Sequence, residues 1–489
     1  MKKTVKKGLI LLVIFLLALA GYFVWFFVRR DDRGTAYTSI EDADLPVACV
    51  ELFGRRMNPM KGFVEDNPRA AGRADLTVLP EDLRLPVVFE EVNSTVSGIQ
   101  YEIRSLDGER LVERTVLESW EQADREVRAT LEIQNLLTKG EEYRLTLAIA
   151  TGEHPAVYYY TRIVWTDAAQ MAQMTDLACS FSEKSFDYAA ARDLTTYLET
   201  NPDADNSSLG HVTLKNDFNQ LTWRSLAIRP YGEVSVHLRE LQGSMGCIDL
   251  EYVAAETGED GTERFYDVTE SFTMRQGAER IYMMNYDRRT NEIFSGDSDF
   301  FSGGRIMLGI SDGENLQAVS DASGRYHAFV ANRVLWCYDE EERESTKVFA
   351  FRKSEEDLRN QYNSHGVRIL AVSETGEIDF LVYGYMSRGN HEGTTGVALY
   401  RYAAGENTLT ERLYLPVSED YGSLRQDLGT LCYLSGGQTL YLLLDHAVYS
   451  VNLTSREYMV VAEGLTEKNF AVSTDGSRIA WQEGTDWYA

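Results

Sequence analysis

The chain has 489 residues, with 76 Asp and Glu against 48 Lys and Arg, and its formal net charge is −28. Subtracting the four lysines that precede the first apolar segment leaves −32 on the remainder, which excludes sequence-independent binding to nucleic acid phosphates. The five cysteines lie far apart and form no CxxC pair, so neither a zinc knuckle nor a dense disulfide framework is predicted.

The first predicted element is a transmembrane helix over residues 8–28. This apolar segment contains no charged side chain and, at 1.5 Å per residue, spans about 31 Å of hydrocarbon. Four lysines within residues 1–7 precede it, so the positive-inside rule keeps that stub in the cytoplasm and places the rest of the chain outside. A cleaved signal peptide is the alternative, because residues 18–20 (Ala-Leu-Ala) resemble a cleavage site.

Residues 29–45 are charged and lack an apolar period, which predicts a spacer. Residues 46–165 are predicted to form a β-sandwich of the immunoglobulin-like or fibronectin-like type, because short β-branched and aromatic segments alternate in polarity, as at Tyr101 and Ile103. An unrelated antiparallel sheet is the alternative. The clearest predicted strands are 87–92, 99–106, 127–133, 143–151 and 157–165.

From Thr166 onward, apolar residues recur every three or four positions, which is the spacing of a helix. Residues 166–208 are therefore predicted to form a pair of helices, the second over 187–200. The stripe of Met171 and Met174 indicates core rather than a soft-metal surface, because no His is interleaved with it. Residues 209–300 return to strand patterns, which favours an antiparallel sheet in a helix-on-sheet α+β region; the alternative is that these strands are blades of the next region. The predicted strands are 221–228, 234–241, 248–255, 265–274 and 281–286.

Residues 301–489 carry a loose repeat in which a Ser and a Gly turn separate two apolar strands, at 318–324, 371–376, 433–437 and 471–476. One four-stranded sheet cannot bury both faces, whereas radial stacking of such sheets can, so β-propeller-like repeats are predicted.

The unit AVSTDGSRIAW at residues 471–481 resembles the blades of TolB-like and WD40-like propellers of bacterial envelope proteins. The resemblance covers the last 190 residues or so, implies a ring-shaped platform for protein contacts, and supplies no functional residues. Three and a half blades cannot close a ring, so we expect either a piece of a longer protein, which is favoured, or a contribution of blades from 221–286.

No motif predicts catalytic, cofactor-binding or metal-ligating residues, and no cofactor is predicted. The string LSGGQ at 434–438 lacks an accompanying phosphate-binding loop and lies at a predicted turn. No GxSxG elbow occurs, and the seven histidines form no HExxH pair. The pairs Asp203 and Asp205, and Asp297 and Asp299, fail the calcium-loop pattern.

The predicted fold is therefore mainly β with a small α+β part, behind an N-terminal transmembrane helix. The predicted function is that of a non-enzymatic, membrane-anchored extracytoplasmic binding or scaffold protein of a bacterial cell envelope. It would act through protein–protein contacts with envelope partners and bind no nucleic acid. One alternative is a sensory or regulatory accessory subunit of an envelope signalling system. Another is a hydrolase with its site in the propeller or in a missing C-terminal extension.

Overall fold

The computed structural model describes residues 36–37, 40–67, 69, 74–224, 226–258, 261–296, 301–302, 305–311, 316–466, 469–473, 478–483 and 485–488. The predicted transmembrane helix over residues 8–28 lies outside them. Among these described residues, no helix is long and apolar enough to cross a membrane. Their structure is built mainly from β-sheets, which confirms the predicted mainly-β class.

The first module, residues 46–165, consists of two five-stranded sheets that pack face to face. Their orders are β3-β2-β5-β9-β8 and β4-β11-β10-β6-β7, and β4 runs parallel to β11. The first eleven strands of the chain are β1 (Ala36–Tyr37), β2 (Val47–Leu52), β3 (Arg55–Met60), β4 (Leu76–Leu79), β5 (Arg84–Glu90), β6 (Val96–Ser105), β7 (Leu111–Val116), β8 (Glu121–Ala123), β9 (Glu126–Glu132), β10 (Glu142–Thr151) and β11 (Val157–Trp165).

The predicted alternation in this module is present, since Tyr101 and Ile103 are buried on the inner face of β6. Between the sheets, the rings of Phe89 and Tyr159 meet edge to face with their centroids 5.5 Å apart. At the start of β10, the Tyr143 hydroxyl accepts a hydrogen bond of 3.0 Å from the Thr138 backbone N–H, which fixes the loop that joins β9 to β10.

A helix and a sheet of long strands follow. Helix α1 (Ala168–Ser185) is capped by Asp167, whose carboxylate accepts from the Ala169 N–H, and Met171 and Met174 are buried beneath it, as predicted for core residues. The remaining elements are a 3₁₀ helix (Ala190–Thr196), β12 (His211–Thr213), α2 (Phe218–Leu221), β13 (Ile228–Gln242), β14 (Met245–Thr257), β15 (Glu263–Gln276) and β16 (Ile281–Glu292), with sheet order β12-β16-β15-β14-β13.

Two predictions in this region are wrong. The second predicted helix is only the 3₁₀ helix, and the strand predicted at 221–228 is replaced by α2 and a turn. Trp223 and Arg224 take left-handed backbone conformations with φ of 60° and 56°, which end the short helix. The buried Arg288 guanidinium lies 3.6 Å from the Trp223 ring centroid and donates to the Gln220 and Leu221 carbonyls, so tertiary contacts override the local β pattern.

The long sheet shares one hydrophobic core with the first module. Asn58, which has φ of 51°, joins them: its side-chain NH₂ donates to the Leu76 carbonyl at 2.9 Å, and its side-chain oxygen accepts from the Leu238 N–H at 2.9 Å. These bonds connect β3, β4 and β13, and therefore fix the angle at which the two modules meet.

The last part of the chain contains four successive antiparallel sheets, here called repeat sheets 1 to 4. Their strands are β19 (Gln317–Ser320), β20 (Tyr326–Ala331), β21 (Val334–Asp339) and β22 (Glu344–Phe349); β23 (His365–Val372), β24 (Glu377–Tyr385), β25 (Thr395–Ala403) and β26 (Thr408–Pro416); β27 (Cys432–Ser435), β28 (Thr439–Leu444), β29 (Ala447–Asn452) and β30 (Tyr458–Ala462); and β31 (Phe470–Val472), β32 (Ile479–Glu483) and β33 (Asp486–Tyr488). The short strands β17 (Phe301–Ser302) and β18 (Arg305–Ile306), a 3₁₀ helix (Leu358–Gln361) and helix α3 (Tyr421–Thr430) complete the elements.

The first three predicted repeat units fall on the connection between the first two strands of a repeat sheet. The fourth unit begins on β31, and its residues 474–476 lie outside the described residues. Separate apolar clusters join sheet 1 to sheet 2, sheet 2 to sheet 3, and sheet 3 to sheet 4. Consecutive sheets therefore cover one another's faces, which is the physical reason for the repeat.

The segment that leads into the first module, residues 40–46, is held against the repeat sheets. Glu392 accepts hydrogen bonds from the backbone N–H groups of Asp44 and Leu45, at 2.7 and 3.1 Å, and Lys353 donates to the Ile40 carbonyl at 2.8 Å. Just before it, β1 pairs in parallel with β22 of repeat sheet 1. This part of the predicted spacer is therefore bound to the repeat sheets.

Candidate functional site

A groove lies where the long sheet meets the first module on one side and repeat sheets 1 and 2 on the other. It consists of two adjoining clefts of about 510 and 500 Å³. Five residues line both clefts and are called the waist: Glu251, Gln361, Asn363, Tyr421 and Arg425. A groove of this size, formed where modules meet, is a common place for ligand sites.

An ion network forms one wall of the first cleft. Asp75, immediately before β4, accepts from His237 Nδ1 at 2.7 Å and from Arg239 Nη1 at 2.6 Å, both on β13. The same guanidinium donates to Asp249 and Glu251 on β14, at 2.7 and 2.8 Å. Arg239 thus has three carboxylate partners, one of which belongs to the first module.

This network sets the charge states of its members. Burial raises the pKa of Asp75, but His237 and Arg239 lower it by more, and the result is a pKa of about 2. Burial lowers the pKa of His237, but the Asp75 carboxylate raises it by more, so the net pKa lies above its ordinary value. Asp75 is therefore an anion at neutral pH, and its carboxylate favours the protonated form of the His237 ring.

Lys61 faces the same cleft from the end of β3. Its ammonium donates to the Ser364 hydroxyl and lies 5.2 Å from the Tyr385 ring centroid. Burial lowers the pKa of Lys61 to about 8, although the Asp75 carboxylate opposes this. The position of Ser364 is fixed by a backbone hydrogen bond, because its carbonyl accepts from the Tyr385 N–H at 2.8 Å.

Helix α3 supplies the other side of the waist. The Asp420 carboxylate caps it by accepting from the N–H groups of Gly422 and Ser423, and Leu424 and Leu428 bury its apolar face. The half-buried Tyr421 ring stacks on Tyr383 of β24 at a centroid distance of 5.9 Å. The aromatic ring at the waist is therefore fixed in position by a capped helix and a strand.

Several polar atoms that border the groove have no hydrogen-bond partner within the described part of the chain. Among them are buried side-chain atoms on three separate segments: His237 Nε2, Asn360 Oδ1, Gln361 Oε1 and Glu419 Oε2. A buried polar atom without a partner costs about 1–3 kcal/mol, and such atoms are rare in native proteins. A molecule bound in the groove could supply the missing partners of these four atoms.

The motifs weighed in the sequence lie away from this groove. The string at 434–438 forms the turn between β27 and β28, where Gly436 and Gly437 have φ of 55° and 68°. Asp205 caps a turn by accepting from the Ser207 N–H, and Asp297 and Asp299 lie outside the described residues. Within the described ranges, no group of three or more His, Cys, Asp or Glu side chains could hold a metal ion.

The groove was missed from the sequence because its residues are scattered between Pro59 and Gly429. Of the seven histidines, only His237 lines either cleft, and it pairs with an aspartate 162 positions earlier. No spacing rule in a single sequence signals such a pair.

No protein-family model matches the chain, and no curated protein matches it. Among solved structures, the chain is similar to Porphyromonas gingivalis dipeptidyl peptidase 4, at 10% identity over 52% of this chain and 37% of that one, with a TM-score of 0.22. It is also similar to the tricorn protease, at 9% identity over 82% and 41%, with a TM-score of 0.14.

A third solved structure is the extracellular domain of the putative one component system BT4673 from B. thetaiotaomicron, at 9% identity over 84% of this chain and 58% of that one, with a TM-score of 0.18. The chain spans less than two thirds of the length of each of these three proteins. Similarity at this level assigns neither a site nor an activity to this chain.

Proposed function

We propose that this chain is a membrane-anchored extracytoplasmic binding or scaffold protein of a bacterial cell envelope, and that the groove holds its ligand. The observation that carries the proposal is the set of unpartnered polar atoms around a groove built by three modules. The fixed ion network and the capped helix α3 support it, because a binding site gains affinity from groups that are already in place.

The finer fold assignment is part of the proposal. The orders of the first two sheets, the parallel pairing of β4 with β11 and the Tyr143 hydroxyl bonded to the preceding loop favour an immunoglobulin-like sandwich. The sequential stacking of the four repeat sheets favours a propeller-like platform.

The membrane anchor at residues 8–28, with residues 1–7 in the cytoplasm, rests on the apolar segment and its flanking lysines. Two experiments test this anchor: extraction of membranes with alkaline carbonate, and protease treatment of intact cells. We expect the chain to stay in the membrane fraction and its outer part to be digested from outside. Release by carbonate would contradict the anchor.

Contacts with envelope proteins are supported by exposed apolar side chains on the last strands of repeat sheets 3 and 4. Tyr458 and Met459 on β30 are 71% and 62% exposed, and Trp487 on β33 is 64% exposed. Aromatic and Met side chains of this kind are enriched at protein interfaces.

Photo-crosslinking in cells tests the groove directly. We would replace Tyr421 by a benzophenone amino acid in the full chain and compare it with the same replacement at Tyr188, which is 54% exposed and does not line the groove. We expect an envelope component to be captured at Tyr421 and not at Tyr188. Equal capture at both positions, or no capture at Tyr421, would contradict the proposal.

The proposed protein binds its ligand without catalysing a reaction. Assays with a panel of glycosidase and peptidase substrates test this absence of catalysis. Turnover by the wild-type chain that is lost in Asp75→Asn would contradict it and favour the hydrolase alternative.

A second candidate, a sensory accessory subunit, is favoured by one observation. The segment that leads from the predicted anchor is bound to repeat sheets 1 and 2 through β1 and Glu392, so a change at the groove has a physical route to the membrane. Replacing residues 8–28 by an unrelated membrane span separates the two candidates. Function should survive this replacement for a scaffold and be lost for a subunit that signals through its helix.

A further inference from the structure

We propose that the ligand of the groove is an uncharged oligosaccharide that lies across the waist. This inference rests on the proposed binding function and names the ligand class. Clefts of about 510 and 500 Å³ lie on either side of the waist, so a linear ligand of several units can occupy both.

The unpartnered atoms require a ligand that donates hydrogen bonds. Asn360 Oδ1, Gln361 Oε1 and Glu419 Oε2 are acceptors only. His237 Nε2, on a residue that is 7% exposed, is a further unpartnered atom and donates when the ring is protonated. Hydroxyl groups satisfy both kinds of atom, because each hydroxyl donates once and accepts as well.

The charge of the groove disfavours an ionic ligand. Four basic and four acidic side chains line the first cleft, leaving His237 aside, and four basic and three acidic side chains line the second. This balance is unusual in a chain whose net charge is −28. Because the opposite charges nearly balance in each cleft, neither an ammonium nor a carboxylate is strongly attracted, whereas the hydroxyl groups of a neutral ligand can hydrogen-bond to both kinds of side chain.

The waist also offers a surface for the apolar face of a sugar ring. Tyr421 lines both clefts, and its ring is held by stacking on Tyr383. Aromatic rings provide a large contact area with few torsions to freeze, and the C–H face of a pyranose fits such a ring.

An extended peptide also donates through its N–H groups, but peptides bound in extended form commonly add to a free strand edge. At the waist, β14 lies inside its sheet between β13 and β15, Tyr421 and Arg425 lie on helix α3, and Gln361 ends a 3₁₀ helix. None of these waist segments offers a free strand edge. The edge strands β19 and β23 also line the second cleft, but the Gln317 side chain of β19 donates to the Val367 carbonyl at 3.3 Å and accepts from the Ile369 N–H at 3.2 Å, which covers the edge of β23. A saccharide therefore fits the groove better than an added peptide strand.

The test uses the full chain in lipid nanodiscs on an array of neutral and acidic oligosaccharides, with a library of extended peptides in parallel. We expect binding to neutral oligosaccharides of three or more units. Gln361→Met should weaken it about tenfold and Tyr421→Ala more than tenfold, while Tyr421→Phe, which keeps the ring, should bind within about threefold of wild type. Gln173→Met, at an exposed position of α1, is the matched control and should have no effect.

Unchanged far-ultraviolet circular dichroism and melting of Gln361→Met and Tyr421→Phe establish that these variants fold. Binding to acidic saccharides alone, or neutral binding that Gln361→Met and Tyr421→Ala leave unchanged, would overturn the inference. Capture of peptides that Tyr421→Ala abolishes would overturn the saccharide but retain a ligand groove. No binding on either array, together with no crosslinking at Tyr421, would overturn the proposed function as well.

Discussion

Asp75→Asn is expected to loosen the junction between the first module and the long sheet. The substitution keeps the shape of the side chain but removes the charge that pairs with His237 and Arg239. The Asp75 side chain is 10% exposed, so solvent screens these interactions little. Both partners lie on β13, which makes Asp75 an ionic contact between the two modules.

The magnitude follows from the pKa of Asp75. A folded-state value of about 2 against the ordinary 3.8 corresponds to about 2.5 kcal/mol of stabilisation at pH 6. Because the folded pKa is lowered, this stabilisation is present above pH 3.8 and is lost as the pH falls through 2. At pH 2.5 the same linkage leaves about 0.8 kcal/mol.

Native-state hydrogen exchange measures the loss of stability at this junction, peptide by peptide. A local measurement is needed because a chain of several modules does not unfold in one step. The ratio of exchange rates, variant over wild type, removes the intrinsic rate of each amide. For peptides that cover β4 and β13 we expect a ratio of about 70 at pH 6 and about 4 at pH 2.5.

Asp249→Asn is the control, since Asp249 accepts from the same Arg239 at 2.7 Å but belongs to the neighbouring strand of the same sheet. Its effect on β4 should be under about fivefold. A ratio for Asp75→Asn within twofold of wild type at pH 6, or a ratio that stays near 70 at pH 2.5, would refute the reasoning.

Three further predictions concern the contacts that hold the modules together. Asn58→Ala removes the partners of the Leu238 N–H and the Leu76 carbonyl, and should lower the free energy of unfolding by about 3 kcal/mol in denaturant titration; a loss under about 1 kcal/mol would contradict this. Gly393→Ala places a Cβ 2.5 Å from Leu45 Cδ1 and should lower Tm more than Gly436→Ala, which also has positive φ but has no atom within 4 Å of its Cβ; equal losses would be the opposing result. Burial raises the pKa of Glu392 from 4.5 to about 7, so charging it costs stability as the pH rises through that window, and Glu392→Gln should gain about 3 kcal/mol relative to wild type between pH 4.5 and pH 8. A pH-independent difference in unfolding free energy would show that Glu392 does not titrate there.

The sequence alone was sufficient to predict elements in which buried side chains recur at the regular spacing of a strand or a helix. Strand β9 buries Val127, Ala129 and Leu131 alternately, and helix α1 buries its methionines at helical spacing. Strand β4 was not predicted, although it pairs in parallel with β11, because such a short segment carries too little of a period. The predicted strand at 221–228 failed because the distant Arg288 fixes that segment as a turn.

The groove could not be predicted because its chemistry depends on the meeting of modules. Asp75 and His237 are separated by 162 positions, and Lys61 and Ser364 by 303. Each residue looks ordinary in its own segment, and a single sequence carries no record of such distant pairs. The membrane anchor is the opposite case, since length and apolarity alone predict it.

The most direct test of the binding groove is a hydrogen-exchange footprint of the full chain with the tightest neutral oligosaccharide from the array. We expect protection of peptides that cover residues 360–364 and 419–425, on both sides of the waist, and loss of that protection in Tyr421→Ala. Protection confined to the exposed strands β30 and β33, or no protection at the waist under saturating ligand, would contradict the claim that the groove is the ligand site.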